Sequence, residues 1–414
     1  MSKRVGGFIN QDGLNAPDAP TSVSGTAGDE QVDVSFTAPS DVGGAAVSGY
    51  RVTDTTGAHG ASGSSSPITV TGLTNGTEYT FNVWAINPFG WSSPSDASGS
   101  VSPAQAAYAL VGGFSISSTY STNVDRYNIS VQANATDFGD LTLARSHMNG
   151  IGGTTRIIFV AGRNNGSNFN TTIDYANPTS QSNFANFGDL SAAGKQYPAT
   201  FGNSTRGISA GGEGPSQGAP NYQYYDNIEY LTIATTGNTI DFGDLTEATQ
   251  VAAGCINSPT RGIRSTGAAI TGGGSSIQSN VMDYVTIATT GNATDFGDNT
   301  STRYNAGGCS SSTRGLTAGG NSGDPNYTNL NVIDYVTIAS TGNATDFGDL
   351  FNMQGLYIRG AASETKATFF QQSQTICQVT IASTGNATDF ADLTNSFSGN
   401  QWGAANSNAH GGLS

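Results

Sequence analysis

Pairs of aspartates recur at fixed spacing along this chain: Asp137 and Asp140, Asp241 and Asp244, Asp295 and Asp298, Asp346 and Asp349. Carboxylates in such register could hold calcium, which takes six to eight oxygens, usually from denser runs of Asp, Asn and Gly. Two per unit, on opposite sides of an extended segment, are few for that task. The expectation is that they cap turns through side-chain hydrogen bonds. His59, His147 and His410 are the only histidines, too few and too scattered for copper or zinc. Cys255, Cys309 and Cys377 show no ligand spacing and read as small buried residues. A glycosidase needs two carboxylates facing one cleft, whereas these recur with a repeat. No Gly-x-Ser-x-Gly elbow accompanies the serines in a helix-capable context. The chemistry-bearing residues therefore predict a non-enzyme, with no catalytic residue, no metal site and no cofactor.

The elements that must carry these residues are strands. Of 414 residues 56 are Gly, about twice average usage. Only 11% are charged, and the best helix formers Lys and Glu are nearly absent. Gly, Ser, Thr, Asn and Asp dominate, which favours turns and hairpins. The net charge of -15 argues against nucleic acid, whose phosphates nothing here would neutralise. It argues equally against an anionic membrane surface. No apolar run is long enough for a bilayer-spanning helix, so no membrane insertion is expected. The stretch Met1–Phe8 has basic residues but no apolar core, and does not read as a secretory signal. Asn-x-Ser/Thr triplets such as Asn134-Ala-Thr136 read as repeat chemistry and not as glycan sites.

Residues 17–103 are bracketed by prolines and hold short alternating segments. Val32, Val34 and Phe36 share one face; so do Tyr50 and Val52, and Tyr79, Phe81 and Val83. That alternation predicts a β-sandwich. The segment resembles a fibronectin type III domain. Ala19-Pro20-Thr21 opens it, Phe36 stands where the family usually has Trp, and Leu73-Thr-Asn-Gly-Thr-Glu-Tyr79 is similar to the approach to its tyrosine corner. The resemblance implies a spacer or docking module. Without an Arg-Gly-Asp tripeptide it does not imply integrin-type adhesion.

From Tyr108 onward one phrase returns, as Ala135-Thr-Asp-Phe-Gly-Asp-Leu141 and five variants. Its phenylalanines are Phe138, Phe187, Phe242, Phe296, Phe347 and Phe390, 43 to 55 residues apart. Most units run in one order: a strand ending in Gly or a Gly pair, a variable loop, an apolar-alternating strand, a Thr-Gly-Asn turn, the Asp-Phe-Gly-Asp strand, and a segment ending in Arg156, Arg206, Arg261, Arg314 or Lys366. A period of this size means an array or a closed propeller. The order resembles the kelch repeat, with Tyr230, Tyr284 and Tyr335 at its Tyr, the six phenylalanines at its Trp, and Leu141-Thr-Leu-Ala-Arg145 at its Arg step. The expected fold is all-β: an arm (1–16), a fibronectin type III-like sandwich (17–103), and a six-bladed kelch-like β-propeller (104–414). Phe and Tyr would stack between neighbouring sheets, and the Gly pairs would sit where strands crowd toward the axis. How the ring closes is not written in the repeat; Val5-Gly-Gly-Phe8 echoes Val111-Gly-Gly-Phe114, so a strand from the arm is the less favoured of the ways to close it.

The variable loops carry Tyr222, Tyr224, Tyr225 and Tyr327 among Asn, Gly and Pro. Tyrosines there suit sugar or protein surfaces, and they are the candidate receptor or glycan contacts. The repeat phrase and the Lys3-Arg-Val-Gly-Gly-Phe8 arm resemble virion proteins of marine bacteriophages, those of cyanobacteria in particular. That resemblance implies a structural protein of the particle, a tail fibre or tail-associated appendage in host attachment. Its partners would be other virion proteins and a host cell-surface glycan or protein, in several copies or as a homo-oligomer. Its place would be the virion, assembled in the host cytoplasm. Capsid decoration is the alternative, and a carbohydrate-active enzyme on a propeller scaffold is the alternative from another class.

Overall fold

The computed structural model describes residues 14–113, 115–116, 119–164, 168–191, 193–215, 222–250, 254–270, 276–322, 328–352, 357–371, 374–395 and 403–413. No helix occurs among them, as the scarcity of Lys and Glu predicts. The chain divides into two compact units, Met1–Ala106 and Ala107–Ser414.

In the first unit Thr21–Gly28, Gln31–Thr37 and Ile68–Thr71 form one antiparallel sheet. The other holds Gly60–Gly63, Gly49–Asp54, Phe81–Asn87 and Gly90–Trp91, in that order. The alternating residues face inward: Val32, Val34, Phe36, Tyr50, Val52, Phe81 and Val83 make the core with Ile68, Val70 and Leu73. Phe36 packs against Tyr50 with ring centroids 4.7 Å apart, so the smaller ring still fills the place where the family usually has Trp. The Tyr79 hydroxyl accepts the Thr74 N–H at 3.0 Å, the bond expected of a tyrosine corner.

The second unit holds six four-stranded antiparallel sheets among its described residues. The first strands of the second to sixth sheets are Asn149–Gly152, Ala199–Gly202, Cys255–Asn257, Gly307–Ser310 and Arg359–Ala362. Each sheet ends on an Asp-Phe-Gly-Asp strand or its variant, for example Ala185–Asp189 and Ile240–Asp244. The first sheet is assembled from both ends of the unit. Ala404–Ser407 pairs with Tyr108–Gly112, with Ala405 opposite Val111 and Ser407 opposite Ala109. The alternative donor, the N-terminal arm, falls on residues 1–13, which lie outside the described ones.

This pairing exposes an offset. The segment that closes each sequence repeat, such as Ala199–Gly202, does not join the three strands before it but opens the next sheet. The first strands touch in series, Asn149–Gly152 against Ala199–Gly202 and onward to Arg359–Ala362. Ala404–Ser407 then lies against both Arg359–Ala362 and Asn149–Gly152.

The glycines that permit this crowding lie in the first strands, not in the Gly pairs that the sequence placed at strand ends. A Cβ on Gly308 would lie 2.2 Å from the Cys255 nitrogen, and one on Gly150 would lie 2.7 Å from the Ala405 carbonyl. The pairs, such as Gly211-Gly212, end second strands, beside the Thr249 and Gln196 carbonyls.

The repeated phrase is a latch between sheets. The Gly237 N–H donates to the Phe187 carbonyl at 2.8 Å, and the Asp189 N–H donates to Asn238 Oδ1 at 3.0 Å. The same Asn bond recurs as Asp244 to Asn292, Asp298 to Asn343 and Asp349 to Asn386. Asp392 to Asn134 joins the sixth sheet to the first. The Asp residues of the phrase therefore lie in strands, and the side chain that receives a backbone N–H at each junction is the Asn of the following turn. Asp140 and Asp189 do accept hydroxyls, from Thr122 and Thr171, but not as turn caps.

Candidate functional site

The six repeat phenylalanines are all buried. Tyr175, Tyr230, Tyr284 and Tyr335 meet Phe187, Phe242, Phe296 and Phe347 edge to face, at 5.7 to 6.1 Å. An arginine covers each of these tyrosines: Arg156, Arg206, Arg261 and Arg314 lie 4.3 to 4.7 Å from the ring centres. Each guanidinium also donates to a carbonyl of the next sheet, at Ile233, Ile287, Ile338 and Ile381. These arginines therefore fasten sheet to sheet, and their positive charge is spent on aromatic faces and carbonyls.

A second set of charges went unread in the sequence, except Arg145, which stood at the Arg step of the repeat. Asp174, Glu229, Asp283 and Asp334 occupy third strands and are buried. Arg145 pairs with Asp174 at 2.6 Å and Lys195 with Glu229 at 3.3 Å. Arg264 pairs with Asp283 and Arg303 with Asp334. Thr142, Ser191, Thr246 and Thr300 donate hydroxyls to the same four carboxylates. In the first sheet Asp125 accepts both the N–H and the hydroxyl of Thr394, and burial raises its pKa. The sequence signal was the acidic residue at a constant place before Tyr, with a Thr or Ser 32 to 38 residues earlier. Each carboxylate pins the segment that enters its own sheet. A buried charge repeated with the fold and answered by a partner is scaffold.

A cavity of about 20 Å³ lies among the first strands, lined by Asn149, Thr200, Asn257, Ser310, Arg359 and His410 among others. It has room for about one water. Residues 408–413 cover it from one side: the Gly411 N–H donates to Ser310 O, and His410 Nε2 lies 2.9 Å from Gly152 O. Asn257 Nδ2 approaches His410 Nδ1 at 2.6 Å, so the ring holds its proton on Nε2. Burial lowers His410 to about 4 and His147 to about 3. Folded His410 thus refuses a proton that the unfolded chain accepts near the ordinary 6.5. Its contribution is full above about pH 6.5 and is lost as the pH falls toward 4, about 3 kcal/mol in all. His410→Gln is expected to lower the urea midpoint of the second unit more at pH 7 than at pH 4.5. A gap that stays constant with pH would remove this account.

The loop tyrosines sit as follows. Tyr222 is 51% exposed and meets Phe169 edge to face at 5.4 Å. Arg163 lies 5.6 Å from the Tyr222 ring and 5.7 Å from Phe169, and it donates to the Tyr222 hydroxyl at 3.2 Å. Tyr222 and Tyr224 belong to a short hairpin, Glu213–Pro215 with Tyr222–Tyr224. Tyr225 is half-buried, and its hydroxyl donates to the Pro215 carbonyl at 3.1 Å. The structure thus brings Tyr222 to an exposed aromatic cluster and uses Tyr225 within the fold. Tyr327 lies outside the described residues. Phe169 and Arg163 were not singled out in the sequence; their signal is an aromatic and a cation in the loop after Ala161-Gly162. Among the described residues no group of His, Cys, Asp or Glu could hold a metal ion. Cys255, Cys309 and Cys377 are buried and form no disulfide, and burial raises the first and third to about 11.

No curated protein matches the sequence. Among solved structures, a crystal structure of a stretch of domains from titin is 29% identical over 22% of this chain and 32% of that one, with a TM-score of 0.20. This chain thus spans about a third of that structure's length. The fibronectin type III family matches residues 18–100. With its sheets of three and four strands, its alternating core and its tyrosine corner, the segment 18–100 is a fibronectin type III domain.

Proposed function

We propose that this chain is a non-enzymatic structural protein of a bacteriophage particle, in which a fibronectin type III domain docks and a six-bladed kelch-like propeller touches the host. The propeller reading is supported by the serial contacts of the first strands and by Ala404–Ser407 completing the first sheet. The phage reading rests on the resemblance of the repeated phrase and the arm. The observation that carries the non-enzymatic reading is the cavity among the first strands, the axis of the proposed propeller, where an enzyme of this architecture would hold substrate. It measures about 20 Å³ and lies under residues 408–413. The repeated charges are absorbed by the scaffold, which leaves the loops as the contact surface. There Arg163, Phe169 and Tyr222 offer an exposed aromatic cluster to a glycan or protein of the host envelope. Other virion proteins would be the partners on the particle side.

The test is incorporation. A chain lacking residues 1–103 is expected to be absent from purified particles, while the full chain is present and visible by cryo-electron microscopy at the tail. Incorporation of the shortened chain at normal copy number would refute docking through the first domain. Absence of the full chain from particles would refute the virion role.

A further inference from the structure

The outer face of the four-stranded sheet in the first unit carries a groove that no part of the proposed attachment uses. Arg51 and Trp84 are cross-strand partners, and Ser62 faces Arg51 from the other side. Trp91 stands opposite Ile86 on the edge strand and is 49% exposed. Two cavities of about 400 and 300 Å³ open here and share Arg51, Thr53 and Gly57. The larger has Trp84 and Trp91 in its wall, and the smaller runs on to His59 and Ser62. No carboxylate lines either cavity, although acidic residues outnumber basic ones by 30 to 15 in the chain. The nearby Asp54 is buried and turned to His59, at 2.8 Å.

We propose that this groove binds an acidic saccharide. A sugar ring has an apolar face that stacks on indole and a rim of hydroxyls that need donors and acceptors. The two tryptophans supply the first, and Thr53, Ser62 and His59 supply the second. Arg51 provides a planar, permanently charged fork for a carboxylate or sulfate on the sugar. The concave shape favours a ring of this size over a flat protein surface. The charge points the same way: a single guanidinium in a lining without a carboxylate favours an anion.

The test uses the intact purified chain, so its outcome is independent of any role in a particle. Two of the three tryptophans line the groove, and their emission reports occupancy. A short oligo-glucuronate is titrated, with a neutral oligosaccharide of equal length and a glutamate-rich peptide as controls. Saturable change with the acidic sugar is expected, about tenfold tighter than with the neutral one. Trp91→Ala should weaken binding about tenfold or more. Arg51→Gln should erase the preference for the acidic sugar while the neutral one binds as before. Both side chains are exposed, and an unchanged thermal transition verifies folding. No saturable signal with the acidic sugar, undiminished binding by Trp91→Ala, or tighter binding of the peptide would each overturn the proposal.

Discussion

A chain shortened to end at residue 403 will lose the stability of its second unit while its first unit unfolds as before. Ala404–Ser407 forms a four-residue ladder with Tyr108–Gly112 and packs against Arg359–Ala362 and Asn149–Gly152. Its removal bares an edge strand, opens the faces of two further strands, and deletes the His410 contacts with Gly152 and Asn257. Ladder bonds at about 1 kcal/mol each, with the burial of Ala404 and Ala405, put the loss on the order of 5–10 kcal/mol. For a unit of this size that is a fall of about 10–20 °C or more in its thermal midpoint. Calorimetry would read two transitions, of which only the larger shifts. Hydrogen exchange should become fast at those amides of Tyr108–Gly112 that face Ala404–Ser407 and stay slow at those that face Asn123–Asn128, and a peptide of residues 404–414 added in excess should slow the first set again. A midpoint unmoved by the deletion would mean that the strand is an ornament of the first sheet.

That prediction also marks the boundary of what the sequence made legible. Period-2 alternation at Val32, Val34 and Phe36 could be read directly, because one face of a half-buried strand must be apolar. The six phenylalanines were equally plain, since each fills the same space in its own sheet. Which strand joins which sheet was not. A segment such as Ala199–Gly202 follows Ala185–Asp189 in the chain, and nothing in its composition says that it belongs with Arg206–Ala210. The latch was hidden for a related reason. Asn238 belongs to the third sheet, and its partner Asp189 to the second, so the bond joins two copies of one phrase. Within a single copy the Asn reads as an ordinary turn residue and the Asp as a cap. Of the candidate contacts, exposure of Tyr222 followed from its loop of Asn, Gly and Pro. The Arg163 and Phe169 that flank it come from a different loop, and only tertiary structure brings them together.

Asp174→Asn is expected to destabilise the second unit by about 3–5 kcal/mol, although it changes one atom. Arg145 is wholly buried, and its Nη1 meets Asp174 Oδ2 at 2.6 Å. Its Nε donates to the Ala161 carbonyl and its Nη2 to the Phe159 carbonyl. Burial alone lowers the pKa of this guanidinium, and Asp174 opposes that shift. Amidation removes the countercharge and leaves a cation in a dry interior, where desolvation is no longer offset. It also deprives the Thr142 hydroxyl, now 2.5 Å from Asp174 Oδ1, of an ionised acceptor. Replacing both partners by apolar residues, Arg145→Met with Asp174→Leu, should cost far less, within about 2 kcal/mol. The chain itself contains a version of that exchange. At the corresponding place in the sixth sheet Cys377 stands for the acid and Phe351 for the Thr, both among apolar neighbours. Urea unfolding of the wild type, Arg145→Met, Asp174→Leu and the double variant closes a cycle that isolates the coupling between the two charges. If Asp174→Asn costs less than about 1 kcal/mol, the pair is not a fastening between chain segments, and the repeated carboxylates would again need another purpose. If the cycle shows strong coupling, the charges serve the scaffold, and the repeated carboxylates need no ligand to explain them.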